Sequence, residues 1–173
     1  MPKLEVFFDY ACPFCRKGHQ NLIELLPQYP GISVAWRPCE SHPRPDAYGI
    51  HSDLCIQGMF FAADQGIDLL PYHARMFDLI HRDRADVGNL DVLSARVADL
   101  LDEAAFHQAL AAGKYARALA EANDYAYVQS GVWAVPAYRM EGRRLDAVEN
   151  IGVTKEDLRA FLEESDSAHA RTH

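Results

Sequence analysis

Two periods of apolar and polar residues succeed one another along this chain, and the points where the period changes mark out its elements. Leu4-Glu5-Val6-Phe7-Phe8 is a short run of apolar, β-branched and aromatic residues ended by Asp9-Tyr10-Ala11, as expected of a buried strand. Leu22, Ile23, Leu25 and Leu26 then recur at helical spacing until Pro27, and Pro30-Gly31 closes the segment. A proline removes a helical hydrogen bond and a glycine ends the last turn, so the pattern predicts a helix bounded there. Ile32-Ser33-Val34-Ala35-Trp36 alternates again, and strand, helix and strand in this order predict a βαβ unit.

Prolines and polar residues give loop chemistry from Arg37 to Gly49. Ser52-Asp53 offers an N-cap to a helical stripe of Leu54, Cys55, Met59, Phe60 and Ala63 that stops near Gly66. Helical patterns follow over Tyr72 to Arg84, Asp91 to Leu101, Asp102 to Ala111 and Lys114 to Gln129. Beyond Gly131, Ala137-Tyr138-Arg139-Met140 and Arg144-Leu145-Asp146-Ala147-Val148 flank Glu141-Gly142-Arg143 as the arms and turn of a hairpin. Thr154, with Asp157 three residues on, opens a final amphipathic helix through Leu158, Phe161 and Leu162. The expected organisation is an α/β domain made of residues 1–51 and 126–165, a helical domain inserted at 52–125, and a polar, disordered tail at 166–173.

Composition narrows the function. With 173 residues and 49% hydrophobic content the chain can bury a core without disulfide staples. A formal charge of −8 argues against a nucleic-acid or anionic-membrane partner. No window reaches the ~18 apolar residues of a membrane span. The opening MPKLEVFFDY lacks the apolar core and cleavage site of a secretory signal, so the expected compartment is the cytoplasm. In a reducing compartment four cysteines point to catalysis, metal binding or plain burial rather than to bridges. Oligomeric state has no signature.

The chemistry concentrates in Cys12-Pro13-Phe14-Cys15, between the first strand and the first helix. Pro13 presets φ at the first helical position, and the free backbone N–H groups of that helix end face Cys12. They stabilise its thiolate, which makes Cys12 both a nucleophile and a good leaving group. Cys15, one turn into the helix, is then the shielded, resolving thiol. Two alternatives stay open: a pair of merely buried thiols, or half of a zinc site. Zinc needs four ligands, and neither a second C-x-x-C nor an H-x3-H is present. Cys39 ends a predicted strand and Cys55 lies on an apolar stripe; both suit small buried hydrophobes, with a second redox or structural pair as the alternative.

Strand, C-P-x-C, helix, strand, long helical insertion, Val132-Trp133-Ala134-Val135-Pro136-Ala137-Tyr138, hairpin and final helix together resemble the DsbA family of thioredoxin-like oxidoreductases, from Leu4 to about Glu164. Asp9, ahead of Cys12, is similar to the D-x-x-C-P-x-C of a cytoplasmic branch of that family. The resemblance implies a thioredoxin-like α/β fold with a helical insertion and thiol:disulfide oxidoreductase activity on protein or small-thiol substrates. It implies no cofactor beyond a redox-active Cys12–Cys15 disulfide, with glutathione as a candidate co-substrate. Val135-Pro136 would be the cis-proline loop, whose Val135 backbone pairs with an extended substrate. Pro13, Phe14, Asp9 and His19 surround the couple.

Two departures carry weight. Thioredoxin-like proteins often place a buried acid six residues before the first cysteine, where this chain has Val6; Glu5 points to the other strand face. Proton transfer would then fall to Asp9, His19 or water. Phe14 replaces the histidine usual between the cysteines of periplasmic DsbA oxidants, which predicts a couple between about −120 mV (DsbA) and about −270 mV (thioredoxin). Arg16 and Lys17 suit a solvated helix face, and His42, His51, His73, His81 and His107 show no ligand spacing. Phe60, Phe61, Tyr72, Met76 and Phe77 suit core packing or the roof of a substrate groove. The rival functions are a glutathione-dependent isomerase or transferase of the kappa-like 2-hydroxychromene-2-carboxylate isomerase type, whose members usually have serine at the position of Cys12, and a non-catalytic thioredoxin-like or zinc-held binding module.

Overall fold

A computed structural model describes the backbone of residues 1–171 and the side chains of residues 1–164. Its centre is a four-stranded sheet in the order β2-β1-β3-β4. β1 (Lys3–Phe8) runs parallel to β2 (Ser33–Pro38), through the right-sized crossover of α1 (Pro13–Leu25), and antiparallel to β3 (Ala137–Met140). β3 turns back into β4 (Arg143–Asp146) through Glu141-Gly142, both with positive φ, the conformation that twists a two-residue hairpin to match its strands.

The period-two pattern of β1 divides the molecule. Leu4, Val6 and Phe8 point to the main core, which α1 closes with Leu22 and Leu25 and α7 (Lys155–Arg171) closes with Leu158, Phe161 and Leu162. Phe7 points the other way, into a smaller cluster with Cys39, Ala126, Val132 and Ala137. Glu5 shares that second face, where it accepts hydrogen bonds from Arg37 and Tyr125.

Between β2 and β3 lie five helices: α2 (Asp53–Asp64), α3 (Leu69–His81), α4 (Leu90–Ala95), α5 (Glu103–Ala111) and α6 (Ala116–Asp124). Their apolar faces extend the main core without a break, through Cys55, Ile56, Met76, Phe77 and Phe106. Gly58 in α2 makes this packing fit, because a Cβ there would lie 2.2 Å from the Tyr72 hydroxyl and 2.6 Å from the Phe106 ring. That hydroxyl donates to the Cys55 carbonyl.

Element boundaries depart from the sequence pattern where side chains outcompete it. α3 begins before Tyr72 because Asp68 caps it through the Leu70 N–H. The segment expected over Asp91 to Leu101 stops at Ala95, and the one over Lys114 to Gln129 is α-helical only from Ala116 to Asp124 before widening into a π-turn at Tyr125–Gln129. Ser52 precedes α2 without bonding its N–H groups, whereas Thr154 does cap α7 through the Asp157 N–H. The expected tail at 166–173 is helical backbone as far as Arg171, and its last two residues lie outside the described ones. Among the described residues no helix is long and apolar enough to cross a membrane.

Candidate active site

The turn after β1 delivers Cys12 to the end of α1 as its N-cap, with extended backbone (φ −88°, ψ 121°) and Pro13 in the first turn. The Cys15 N–H donates to Cys12 Sγ at 3.4 Å, so the sulfur takes the place of the oxygen that usually caps a helix. Cys12 Sγ in turn lies 3.8 Å from the Val135 carbonyl oxygen. Cys12 is partly exposed and Cys15 is buried.

The two thiols are accordingly unlike. A hydrogen bond from Cys15 is the largest influence on Cys12; together with the backbone N–H groups of Cys15 and Phe14 it outweighs partial burial and the Asp9 charge, and brings the thiol down to about 7. Burial dominates at Cys15 and pushes it well above the ordinary thiol range, an effect to which Cys12 adds. The exposed thiol is thus the easier of the two to ionise and the buried one the harder.

The Val135-Pro136 peptide bond is cis. Pro136 packs on α1 at Gly18, where a Cβ would lie 3.2 Å from its ring and 2.8 Å from the Tyr138 hydroxyl. Gly18 therefore sets how closely the loop approaches the helix that carries the cysteines. Its signal in the sequence is a glycine inside a helical pattern, a residue that usually costs about 1 kcal/mol against alanine and so implies a packing reason.

Asp9 is fully buried beside the pair, its carboxylate accepting from the Ala11 N–H at 2.9 Å and the Ser41 N–H at 2.7 Å. It joins the cysteine turn to the loop after β2. His19 belongs to an aromatic seam instead: its ring contacts are with Trp36, His73 and Phe77, and burial lowers it to about 4. His73, deeper still, is lowered to about 3 by burial and by His19, with Nδ1 on the Tyr10 hydroxyl. Val6 is buried in the main core. Phe14 is 39% exposed and packs over Gly152.

Other candidates find structural places. Arg16 pairs with Asp78 and His81 bonds the Tyr10 carbonyl, so α3 is fastened to both ends of the cysteine turn. Phe61, Tyr72, Met76 and Phe77 are buried, and Phe77 packs on Tyr10 and Phe8. They fill the core rather than line a groove. Cys39 and Cys55 are fully buried in separate clusters on opposite faces of β1.

A model of the DSBA-like thioredoxin domain matches residues 3–159. The chain belongs to that family. This DSBA-like protein is 24% identical to the uncharacterized protein YwbO of Bacillus subtilis, over 78% of this chain and 84% of the relative. Its fold superposes on the probable DsbA oxidoreductase of Streptomyces coelicolor with a TM-score of 0.77 (16% identity, 95% of this chain and 90% of that one). The DsbA of Pseudomonas aeruginosa gives a TM-score of 0.68 (18% identity, 98% of this chain and 86% of that one). The DSBA-like protein thus has the thioredoxin-like fold with a helical insertion that thiol–disulfide oxidoreductases share. The cytoplasmic placement expected from the sequence conflicts with the same comparisons, whose matching structures are DsbA-type oxidoreductases.

Proposed function

We propose that this protein is a thiol:disulfide oxidoreductase in which Cys12 exchanges with protein or small-thiol substrates and Cys15 resolves. The single observation that carries the proposal is the pairing of a partly exposed Cys12 held near 7 with a buried Cys15 held high, 3.4 Å apart from backbone nitrogen to sulfur.

In the oxidising direction a substrate thiolate attacks Cys12 Sγ of the Cys12–Cys15 disulfide. The intermolecular disulfide forms, the Cys12–Cys15 bond breaks, and Cys15 leaves as a thiolate that takes up a proton. A second substrate thiolate then attacks its partner sulfur and expels Cys12 as a thiolate, whose low pKa makes it a good leaving group. Two electrons have passed from the substrate dithiol to the protein. In the reverse direction the Cys12 thiolate attacks a substrate disulfide, and Cys15 releases it. The Val135 backbone lies where an extended substrate can pair beside the sulfurs. Asp9 is the buried carboxylate nearest in sequence to the pair and is the candidate to exchange protons with Cys15, a role that Val6 cannot fill. No cofactor is required by this chemistry, and glutathione is a candidate co-substrate.

A Cys12 thiol near 7 resembles the value of about 7 for thioredoxin more than the value of about 3.5 for DsbA. It favours a couple on the reducing side of the interval between about −120 and about −270 mV. Equilibration against glutathione buffers, followed by acid quenching and counting of alkylated thiols by mass, tests the proposal. One two-electron transition confined to Cys12 and Cys15 is expected. Persistence of both as thiols across the whole range defeats it.

A further inference from the structure

Beside the cis-proline loop a cleft of about 370 Å³ opens between the loop after β2 and the turn before β3, lined by Glu40, Ser41, Tyr127, Trp133, Ala134 and Val135. Two of its residues, Trp133 and Glu40, have no part in the exchange chemistry. Trp133 is 74% exposed, an unusual position for the most costly apolar ring to leave in water. Glu40, by contrast, is only 7% exposed. Its carboxylate is held by one oxygen, Oε1, which accepts from Asn123 at 2.9 Å, while Oε2 has no hydrogen-bond partner among the described residues. The Glu40 backbone is fixed as well, its N–H donating to Asn123 and its carbonyl accepting from the Tyr127 hydroxyl at 2.7 Å. A fixed carboxylate with a spare oxygen and a free indole face therefore line one cleft.

We propose that this cleft is a substrate subsite for a cationic side chain, lysine or arginine, two residues away from the reactive cysteine of an extended polypeptide. The proposal rests on the exchange reading above and names its substrate class. An indole face attracts a cation, most strongly when both are partly desolvated, and the Glu40 Oε2 would accept its N–H. The spacing follows from the strand period. A substrate strand laid on Val135 presents its cysteine to Cys12, and the next side chain on the same face lies two residues, or about 6.6–6.8 Å, along. In antiparallel pairing that residue runs along the backbone ahead of Val135, toward Ala134 and Trp133 on the wall of the cleft. Electrostatics agree: burial and the neighbouring charges of Asp53 and Asp9 raise the Glu40 carboxyl, with only Asn123 and His51 opposing them. A cation entering the cleft relieves that repulsion, whereas an acidic residue would add to it.

The test uses the Cys15→Ser protein, in which the mixed disulfide cannot be resolved, and peptides of the form Cys-Gly-Xaa and Xaa-Gly-Cys carrying a thionitrobenzoate disulfide on cysteine. The Cys12 thiolate attacks the peptide sulfur, a Cys12–peptide disulfide forms, and thionitrobenzoate leaves as the coloured thiolate that is followed. Each rate is divided by that of 2-mercaptoethanol with the same peptide, which removes the peptide's own reactivity. With Xaa as lysine or arginine the normalised rate should exceed the alanine rate by about fivefold, in one of the two peptide directions, and should shrink toward it as salt rises. Glutamate should react more slowly than alanine. Glu40→Gln should bring the three rates together, and Trp133→Leu should reduce the cationic preference in part. Equal normalised rates in the Cys15→Ser protein, or a preference that survives Glu40→Gln, would overturn the subsite while leaving the exchange reading intact. Release of no thionitrobenzoate from any peptide would remove the exchange reading and the subsite with it.

Discussion

The four thiols of this chain are one chemical group in two kinds of surroundings, and what separates them is backbone direction rather than burial alone. Cys12 sits at the mouth of α1, where the N–H groups of Phe14 and Cys15 are aimed at its sulfur. Cys39 has its own N–H tied to the Phe8 carbonyl, and its thiol donates to that same oxygen at 3.7 Å. Both sulfurs lie near a carbonyl oxygen, but Cys39 lacks the helix-end N–H donors of Cys12, and burial pushes it up to about 12 against an opposing hydrogen bond from Tyr127. Cys55, inside α2 and fully buried, is raised too, by burial first and by the charges of Asp9 and Asp53. N–H groups at a helix end favour a thiolate; full burial without them suppresses one.

The sharpest way to break this contrast is substitution. Cys12→Ser should lower disulfide exchange by at least about a thousandfold, because no other thiol in the native chain is both accessible and ionised near neutral pH. Cys39→Ala and Cys55→Ala should exchange at the parental rate. Insulin reduction or peptide oxidation, measured side by side on the three variants, checks both halves. Exchange supported by Cys39 or Cys55 would end the distinction.

Alkylation of the native reduced protein provides the next test. The rate at Cys12 should rise with pH through a midpoint near 7, while Cys39 and Cys55 stay unmodified until denaturant is added. Peptide mapping after timed quenching shows which sulfur has reacted. Replacing Asp9 by Asn removes a charge that opposes the Cys12 thiolate, so the midpoint should move below 7.

The same pKa differences give the two groups opposite effects on stability. Cys12 is depressed in the folded state from 9.0 to about 7. Its contribution is therefore fully present above the unfolded pKa and is lost as pH falls through the folded one. Discounted for the exposure of Cys12, the reduced protein should gain about 1–2 kcal/mol between pH 7 and 9, and Cys12→Ser should flatten that slope. Cys39 is raised from 9.0 to about 12, so its contribution is present below the unfolded pKa and is lost as pH climbs from 9 toward 12. Urea titrations of the reduced protein and of Cys39→Ala across that range separate the two signs. The smallest effect should be the loss of sulfur from the core, about 1 kcal/mol for Cys39→Ala or Cys55→Ala at neutral pH.

Much of this was legible along the chain, for reasons that are local. A strand of β-branched and aromatic residues followed by C-P-x-C and a helical stripe places two cysteines at a helix N-terminus, because Pro13 can occupy the first turn and little else there can be proline. The period-two pattern likewise put Glu5 and Val6 on opposite faces of β1, where they lie. Helix ends were less legible. Ser52 has the chemistry of a cap and makes no capping bond, whereas Asp68, next to a leucine pair, caps α3.

What the sequence by itself determined is thus the fold family, read from the order of elements along the whole chain, and the two strand faces and closely spaced cysteines, which rest on neighbours a few residues apart. Only the tertiary structure decided that Gly18 is the seat of Pro136, that Asp9 reaches Ser41, that His19 is packed against the insertion, and that Glu40 and Trp133 share a cleft. Each of these joins residues brought together by the crossing of the chain, and the free energy of such a contact depends on distance and burial that no stretch of sequence carries alone.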